Sequence, residues 1–266
     1  MKSVFRMIRV LTVLSIRTAT LHFRLKKLSS AEQKAEGYAE IQRTAQALCD
    51  VLRMRVEMKG ELPDLKQALL VSSHLGYIDM VILASAIPVS FVAKKELKAR
   101  FLFGWVARTF QTIFVDRDRK TATESFVREV QGRIREGYRV LVFPEGRATL
   151  GDTVYPFKTG AFEAIANTEV PVLPVYLGVS SINGQAPVGE IRWNVCWHDP
   201  MPMFPHIRRM MALDEVVYRV EVGRPISSEG KTRRALSIEA LEVILDLHTA
   251  HHQEMGVVPV WVPDPQ

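Results

Sequence analysis

The chain has 266 residues, 47% of them hydrophobic and 24% charged, with a net charge of +6 and a pI near 9.4. That is the composition of a folded domain long enough to bury a sizeable core, and its basic balance suits nucleic acid, an anionic membrane or an acidic small molecule as partner. The two cysteines, Cys49 and Cys196, have neither metal-ligand nor disulfide-framework spacing, which excludes a disulfide scaffold and indicates a reducing compartment.

Residues 1–28 read as a helix with Phe5, Ile8, Leu11 or Thr12, Ser15 or Ile16, and Ala19 on one stripe. Basic residues crowd the same stretch at Lys2, Arg6, Arg9, Arg17, Arg24, Lys26 and Lys27. The apolar run between Arg9 and Arg17 is only seven residues and includes Thr12 and Ser15, far short of the roughly 18 to 20 needed to span a bilayer. Arginine at 17 and 24 also stands where a signal peptide would have its apolar region and small-residue cleavage site. Such a helix fits the membrane interface, with its arginines meeting lipid phosphates. The arginines interleave with aliphatic residues and not with stacking aromatics, which argues against nucleic acid. Ser29 or Ser30, with Gln33 near the capping-box position, opens a second helix to about residue 49, and the two helices form a hairpin.

From there the pattern alternates. Strands are expected at 51–58, 68–72, 90–93, 112–115 and 139–143, with helices at 76–86, 96–110 and 121–136 between them. Later strands are expected at 172–178, 191–197 and 217–223, and a terminal helix at 237–254. This βα alternation predicts an α/β fold, a mostly parallel central sheet with helices on both faces, preceded by the helical hairpin. The division expected is 1–50 for the basic amphipathic hairpin and 51–266 for the α/β domain. Ligands on such sheets bind at the carboxyl ends of strands.

Ser72-Ser-His-Leu-Gly-Tyr-Ile-Asp79 lies at one such end. A histidine in the turn, with Asp79 about one turn into the following helix, can have one ring nitrogen held by the carboxylate and the other facing a substrate hydroxyl. Three further stretches follow in order: Thr112-Ile-Phe-Val-Asp-Arg117, Val142-Phe-Pro-Glu-Gly-Arg-Ala-Thr149 and Val170-Pro-Val-Leu-Pro-Val-Tyr176. With these four blocks in order, the chain from about residue 69 to 176 resembles the glycerolipid acyltransferases, which acylate lysophosphatidic acid and related acceptors. Phe91-Val-Ala-Lys-Lys-Glu-Leu97 and Pro156-Phe-Lys-Thr-Gly160 also look like connecting segments of that family.

The resemblance implies an O-acyltransferase that moves an acyl group from acyl-CoA or acyl-carrier protein, its co-substrate, to a lysophospholipid hydroxyl. The first expected acceptor is 1-acyl-sn-glycerol-3-phosphate, giving phosphatidic acid. It implies His74 as general base oriented by Asp79, with no serine or cysteine nucleophile, no bound cofactor and no metal. Arg117, Arg147, the Gly146 turn and Lys158 would take the acceptor phosphate, and amides near His74 or Gly146 the developing oxyanion. Glu145 has two readings of equal weight, a substrate contact or a turn carboxylate accepting backbone N–H groups. The family's usual Glu-Gly-Thr-Arg-Ser is here Glu145-Gly146-Arg147-Ala148-Thr149, which opens a second acceptor class such as a lyso-ornithine lipid. A non-catalytic lipid-binding protein is the competing class. The expected location is the cytoplasmic face of a membrane.

Outside the blocks, Lys94 and Lys95 read as an exposed pair more than as donor-phosphate ligands. His248, His251 and His252 lie where a helix dipole favours cations, with Glu254 as the acidic neighbour that a metal site would need. Trp193, Trp197 and Trp261 read as core or interface aromatics, and 257–263 is apolar enough for a second membrane contact.

Overall fold

The computed structural model describes residues 2–26, 28–94, 112–115, 122–198 and 200–258. The helix expected over 96–110, and with it Lys95, Arg117 and Trp261, lies outside the described residues. The elements run α1 (Lys2–Leu25), α2 (Ser30–Leu52), β1 (Met54–Lys59), β2 (Ala68–Ser72), α3 (Asp79–Ala86), β3 (Ser90–Lys94) and β4 (Ile113–Val115). They continue through α4 (Ala122–Arg135), β5 (Arg139–Val142), β6 (Val172–Ile182), α5 (Met203–Met210), β7 (Val216–Val222) and α6 (Arg233–Glu254). Seven strands form a sheet in the order β1-β7-β6-β2-β5-β3-β4, parallel at every pairing except β6 with β7. The expected α/β fold with a mostly parallel sheet is what the chain adopts.

Strand β2 shows why its sequence is a continuous apolar run. Ala68 and Leu70 face one core with Ile41 and Ala45 of α2 and Ile82 and Leu83 of α3. Leu69 and Val71 face the other with Val130 and Ile134 of α4 and Leu236, Ala240 and Ile244 of α6. A strand covered on both faces has no polar side to show.

Several boundaries differ from expectation for local reasons. The capping carboxylate of α2 is Glu32, which accepts from the Ser29 amide at 2.9 Å and from its hydroxyl at 2.6 Å, whereas Gln33 bonds the Leu28 carbonyl. Helix α2 runs to Leu52, where Arg53 takes a left-handed φ of 57° and ends it, so β1 starts at Met54 and not at residue 51. The strand expected over 191–197 is instead a 3-10 turn, Gly189–Asn194, followed by irregular chain. There Arg192, Val195 and Cys196 are the buried residues, a helical and not an alternating spacing. Arg192 turns inward to donate to the Pro187 and Leu150 carbonyls.

Helix α1 lies along α2 with Arg6, Arg17 and Arg24 turned toward protein and Arg9 exposed. Arg6 is buried and donates to the Leu213 carbonyl at 2.7 Å, Arg17 pairs with Glu40 at 3.0 Å and Arg24 with Glu36 at 3.3 Å. Arg6 is thus committed to the protein and not open to lipid phosphate as expected, whereas Arg17 is half-exposed and Arg24 exposed in their ion pairs. The apolar stripe faces outward: Val4, Phe5, Ile8, Leu11, Ile16 and Phe23 are all exposed. Two hydroxyls on that side, of Thr12 and Thr20, donate to the carbonyls of Ile8 and Ile16 four residues back. No described helix is long and apolar enough to cross a membrane.

Candidate active site

Strand β2 ends at Ser72 and the chain turns through His74-Leu75-Gly76 into α3. Asp79 is the first residue of that helix, not a turn inside it as expected. This placement lets one carboxylate oxygen, Oδ2, reach back over the turn. It lies 2.7 Å from His74 Nδ1 and accepts from the Leu75 and Gly76 amides at 2.6 and 3.0 Å. Asp79 is wholly buried, so two backbone donors and an imidazole replace its lost water. His74 keeps 23% of its side chain exposed, and with Nδ1 held by the carboxylate, Nε2 is the nitrogen left for a substrate. Phe143 lies flat against the imidazole, with ring centroids 4.2 Å apart and planes 19° apart.

Glu145 ties the two walls of the site together. It is buried, and its two oxygens accept from the His74 amide and from the Tyr155 amide, each at 2.9 Å. Burial pushes its pKa up to about 8 against the pull of those two amides. Of the two readings offered by the sequence, this geometry is that of the turn carboxylate. The Thr149 amide donates to the His74 carbonyl at 2.8 Å, a second tie across the same seam.

Gly146, with φ of 70°, turns the chain under the Lys158 side chain, and a Cβ there would lie 2.6 Å from Lys158 Nζ. Arg147 is exposed, with its guanidinium 4.6 Å from the centre of the Tyr155 ring. The structure thus places Glu145 buried behind His74, with Gly146, Arg147 and Lys158 on the turn that follows it. Arg117 lies outside the described residues. Four of the amides near His74 and Gly146 are occupied: that of His74 by Glu145, those of Leu75 and Gly76 by Asp79, and that of Gly146 by the Phe143 carbonyl.

Nearby hydroxyls and thiols are equally committed. Ser72 Oγ donates to the Ser73 carbonyl, Ser73 Oγ to the Leu177 carbonyl at 3.0 Å, and burial holds the Cys196 thiol well above its usual pKa. None of them is presented to His74 as a nucleophile. The sequence did not single out the Phe143 ring, the Thr149 tie or the bond by which the Trp197 amide donates to the Leu75 carbonyl at 2.8 Å. Only the Phe-Pro-Glu-Gly block gave any signal for the first.

The C-terminal histidines are buried and not cationic. His251 bonds Tyr176 Oη at 3.0 Å and Ser180 Oγ at 3.1 Å, and His252 Nδ1 donates to the His248 carbonyl at 2.9 Å. Glu254 turns away from them to Lys59 and Arg219. No group of three or more His, Cys, Asp or Glu is placed to hold a metal among the described residues. Burial lowers the pKa of His248 to about 4, of His251 to about 3 and, on α5, of His206 to about 4. In the unfolded chain these groups titrate near 6.5, so between about pH 4 and 6.5 that state binds more protons and stability falls as pH drops. Glu145 has the opposite sign but is a single group. Unfolding followed in denaturant at several pH values should show the midpoint falling steadily from pH 6.5 to 4.5; a flat midpoint there would contradict neutral buried imidazoles.

A model of the Acyltransferase family matches residues 53–178. The lyso-ornithine lipid O-acyltransferase of Brucella abortus is 30% identical over 195 residues, 71% of this chain and 73% of the relative. That of Rhizobium meliloti is 28% identical over 194 residues, 70% and 66% of the two chains. The 1-acyl-sn-glycerol-3-phosphate acyltransferase of Neisseria gonorrhoeae is 29% identical over 109 residues, 41% and 43%. Among solved structures, the 1-acyl-sn-glycerophosphate acyltransferase PlsC of Thermotoga maritima superposes with a TM-score of 0.68 over 94% of this chain and 97% of its own, at 18% identity, a likeness of fold. The chain belongs to the Acyltransferase family, as its four ordered blocks indicated. It is an acyltransferase of lysolipid metabolism.

Proposed function

We propose that the chain transfers an acyl group from a thioester, acyl-CoA or acyl-carrier protein, directly to the hydroxyl of a lysolipid, with a lyso-ornithine lipid as acceptor. The observation that carries the chemistry is the His74–Asp79 pair at the strand end, 2.7 Å apart, with Ser72, Ser73 and Cys196 among the described residues committed elsewhere. His74 Nε2 removes the proton from the acceptor hydroxyl as its oxygen attacks the thioester carbonyl. Asp79 stabilises the imidazolium that results, and Nε2 returns the proton to the departing thiolate. No metal or bound cofactor takes part in this scheme.

The acceptor reading is supported by the relatives aligned over about 70% of this chain, which are named for lyso-ornithine lipid, and by the altered Glu145-Gly146-Arg147 turn. An ornithine headgroup carries a carboxylate, for which the forks of Arg117 and Arg147 are bidentate partners. The second reading is 1-acyl-sn-glycerol-3-phosphate, favoured by Lys158 over the Gly146 turn as a phosphate ligand and by the shorter alignment to the Neisseria enzyme. Assay of the purified protein with both lysolipids and both donor types distinguishes them. Turnover of lyso-ornithine lipid at least about tenfold above lysophosphatidic acid in kcat/KM is expected, and the reverse order overturns the first reading. In the same assay Arg117→Ala raises the acceptor KM more than it lowers kcat; an unchanged KM removes Arg117 from the acceptor site.

Helix α1 serves as the membrane-facing element of the N-terminal unit, supported by its outward stripe, while α2 runs past residue 50 to Leu52 and packs on the core. Phe5, Ile8 and Ile16 of α1 would enter the interface of the leaflet that holds the acceptor, on the cytoplasmic side. Replacing all three by serine should abolish flotation with anionic vesicles while leaving the folded chain intact, since none of them packs on the core. Unchanged flotation would contradict this role.

A further inference from the structure

His206 is a buried titratable side chain that the acyl-transfer steps do not use. It stands on α5, wholly buried, with Nδ1 2.7 Å from Tyr77 Oη and its ring perpendicular to the Tyr77 ring at 89°. Burial keeps the imidazole neutral at pH 7 and the phenol protonated, so the pair is a neutral hydrogen bond between a buried ring and a half-buried one.

Tyr77 belongs to the turn that makes the His74 site. The residues just before it, Leu75 and Gly76, supply the two amides that hold Asp79 Oδ2. The same turn is gripped elsewhere from the 195–206 segment. The Trp197 amide donates to the Leu75 carbonyl at 2.8 Å, the Trp197 ring meets the edge of Tyr77 at 5.8 Å, and Gly76 lies so close that a Cβ would come within 3.1 Å of the Trp197 nitrogen. Helix α5 is fixed at its far end as well, where Ser3 Oγ donates to the Arg208 carbonyl at 3.2 Å and Arg6 to that of Leu213 at 2.7 Å. His206 therefore presents Nδ1 from a support that is held at both ends.

We propose that Tyr77 and His206 are positioning residues for acyl transfer. Their hydrogen bond clamps the 75–78 turn, so that the Leu75 and Gly76 amides keep the Asp79 carboxylate, and through it the His74 ring, in the reacting geometry. This rests on the reading of His74 as general base. Without the bond the turn keeps its fold through Trp197 and Asp79 but loses the restraint that fixes the carboxylate beneath the imidazole. A misplacement of about 1 Å at a catalytic group can cost about a hundredfold in rate. Because the pair acts on the base and not on bound substrate, the loss falls on kcat and leaves KM unchanged.

The test uses the full purified chain and compares kcat, both KM values and the thermal midpoint for Tyr77→Phe, His206→Phe, the double variant and His206→Asn, with His74→Ala as reference. Tyr77→Phe removes one hydroxyl and keeps the ring on Trp197, so it carries the test even if His206→Phe fails to fold. Expected are a kcat lowered at least about tenfold in Tyr77→Phe with both KM values within about twofold of wild type, and a double variant no slower than the worse single one. His206→Asn, whose amide can stand in the place of Nδ1, should recover part of the rate. Wild-type kcat in Tyr77→Phe, a loss confined to KM, or losses that multiply in the double variant would overturn the proposal. If His74→Ala is inactive while Tyr77→Phe is fully active, the clamp alone is wrong; if His74→Ala retains full activity, the base and the clamp fall together.

Discussion

Replacing His74 by alanine should lower kcat by about 10² to 10⁴ while the fold and vesicle binding persist. The imidazole is the group placed to take the acceptor proton, and the hydroxyls and thiols around it are bonded to carbonyls or held protonated by burial. The fold should survive because the ring is partly exposed and what it gives up is one face against Phe143 and one bond to Asp79. The backbone contacts of residue 74, its amide to Glu145 and its carbonyl to the Thr149 amide, do not depend on the side chain. Circular dichroism, flotation and steady-state acyl transfer on one preparation check all three statements. Substantial residual turnover would remove His74 from the chemistry.

Asp79→Asn should cost a similar factor for a different reason. All of Asp79's contacts fall on Oδ2, and Oδ1 is buried with no hydrogen-bond partner. The Leu75 and Gly76 amides require an acceptor at the Oδ2 position, so asparagine must place its carbonyl there and bury its NH2 where Oδ1 stood. The His74 tautomer is thereby preserved and the negative charge that stabilises the imidazolium is lost. An unpaired buried amide adds a stability cost of about 1 to 3 kcal/mol. The expected result is a folded, somewhat less stable protein whose kcat falls by about 10² to 10⁴ with little change in KM. A near-wild-type kcat would show that Asp79 only orients the ring and that its charge is dispensable.

Much of this site could be read from residue order, because its parts are local. His74 and Asp79 lie within one turn of chain, and the strand before them is marked by its apolar run. What was misplaced follows from tertiary contacts that leave no period in the sequence. Asp79 was expected inside the helix, yet it begins it, since only from that position does Oδ2 reach two amides and an imidazole together. Arg192 imitates a strand alternation but is buried to bond two carbonyls. The eight-residue helix that carries His206 has Pro202 at its cap and Pro205 inside, residues that read as breakers. The Tyr77–His206 bond joins positions 129 apart, and no local pattern announces it. On α1 the stripe was legible, but not that Arg6, Arg17 and Arg24 turn toward the protein, since that depends on Glu36, Glu40 and the Leu213 carbonyl.

Direct transfer from donor to lysolipid, with His74 as base and no acyl-enzyme, is tested most directly by intact-mass measurement of the purified protein after incubation with acyl donor alone and again after lysolipid is added. The expected result is an unmodified protein mass in the first sample and acylated lysolipid in the second, with product formed at least about a hundredfold more slowly in the His74→Ala control. A protein mass increased by one acyl group, discharged when lysolipid is added, would contradict it.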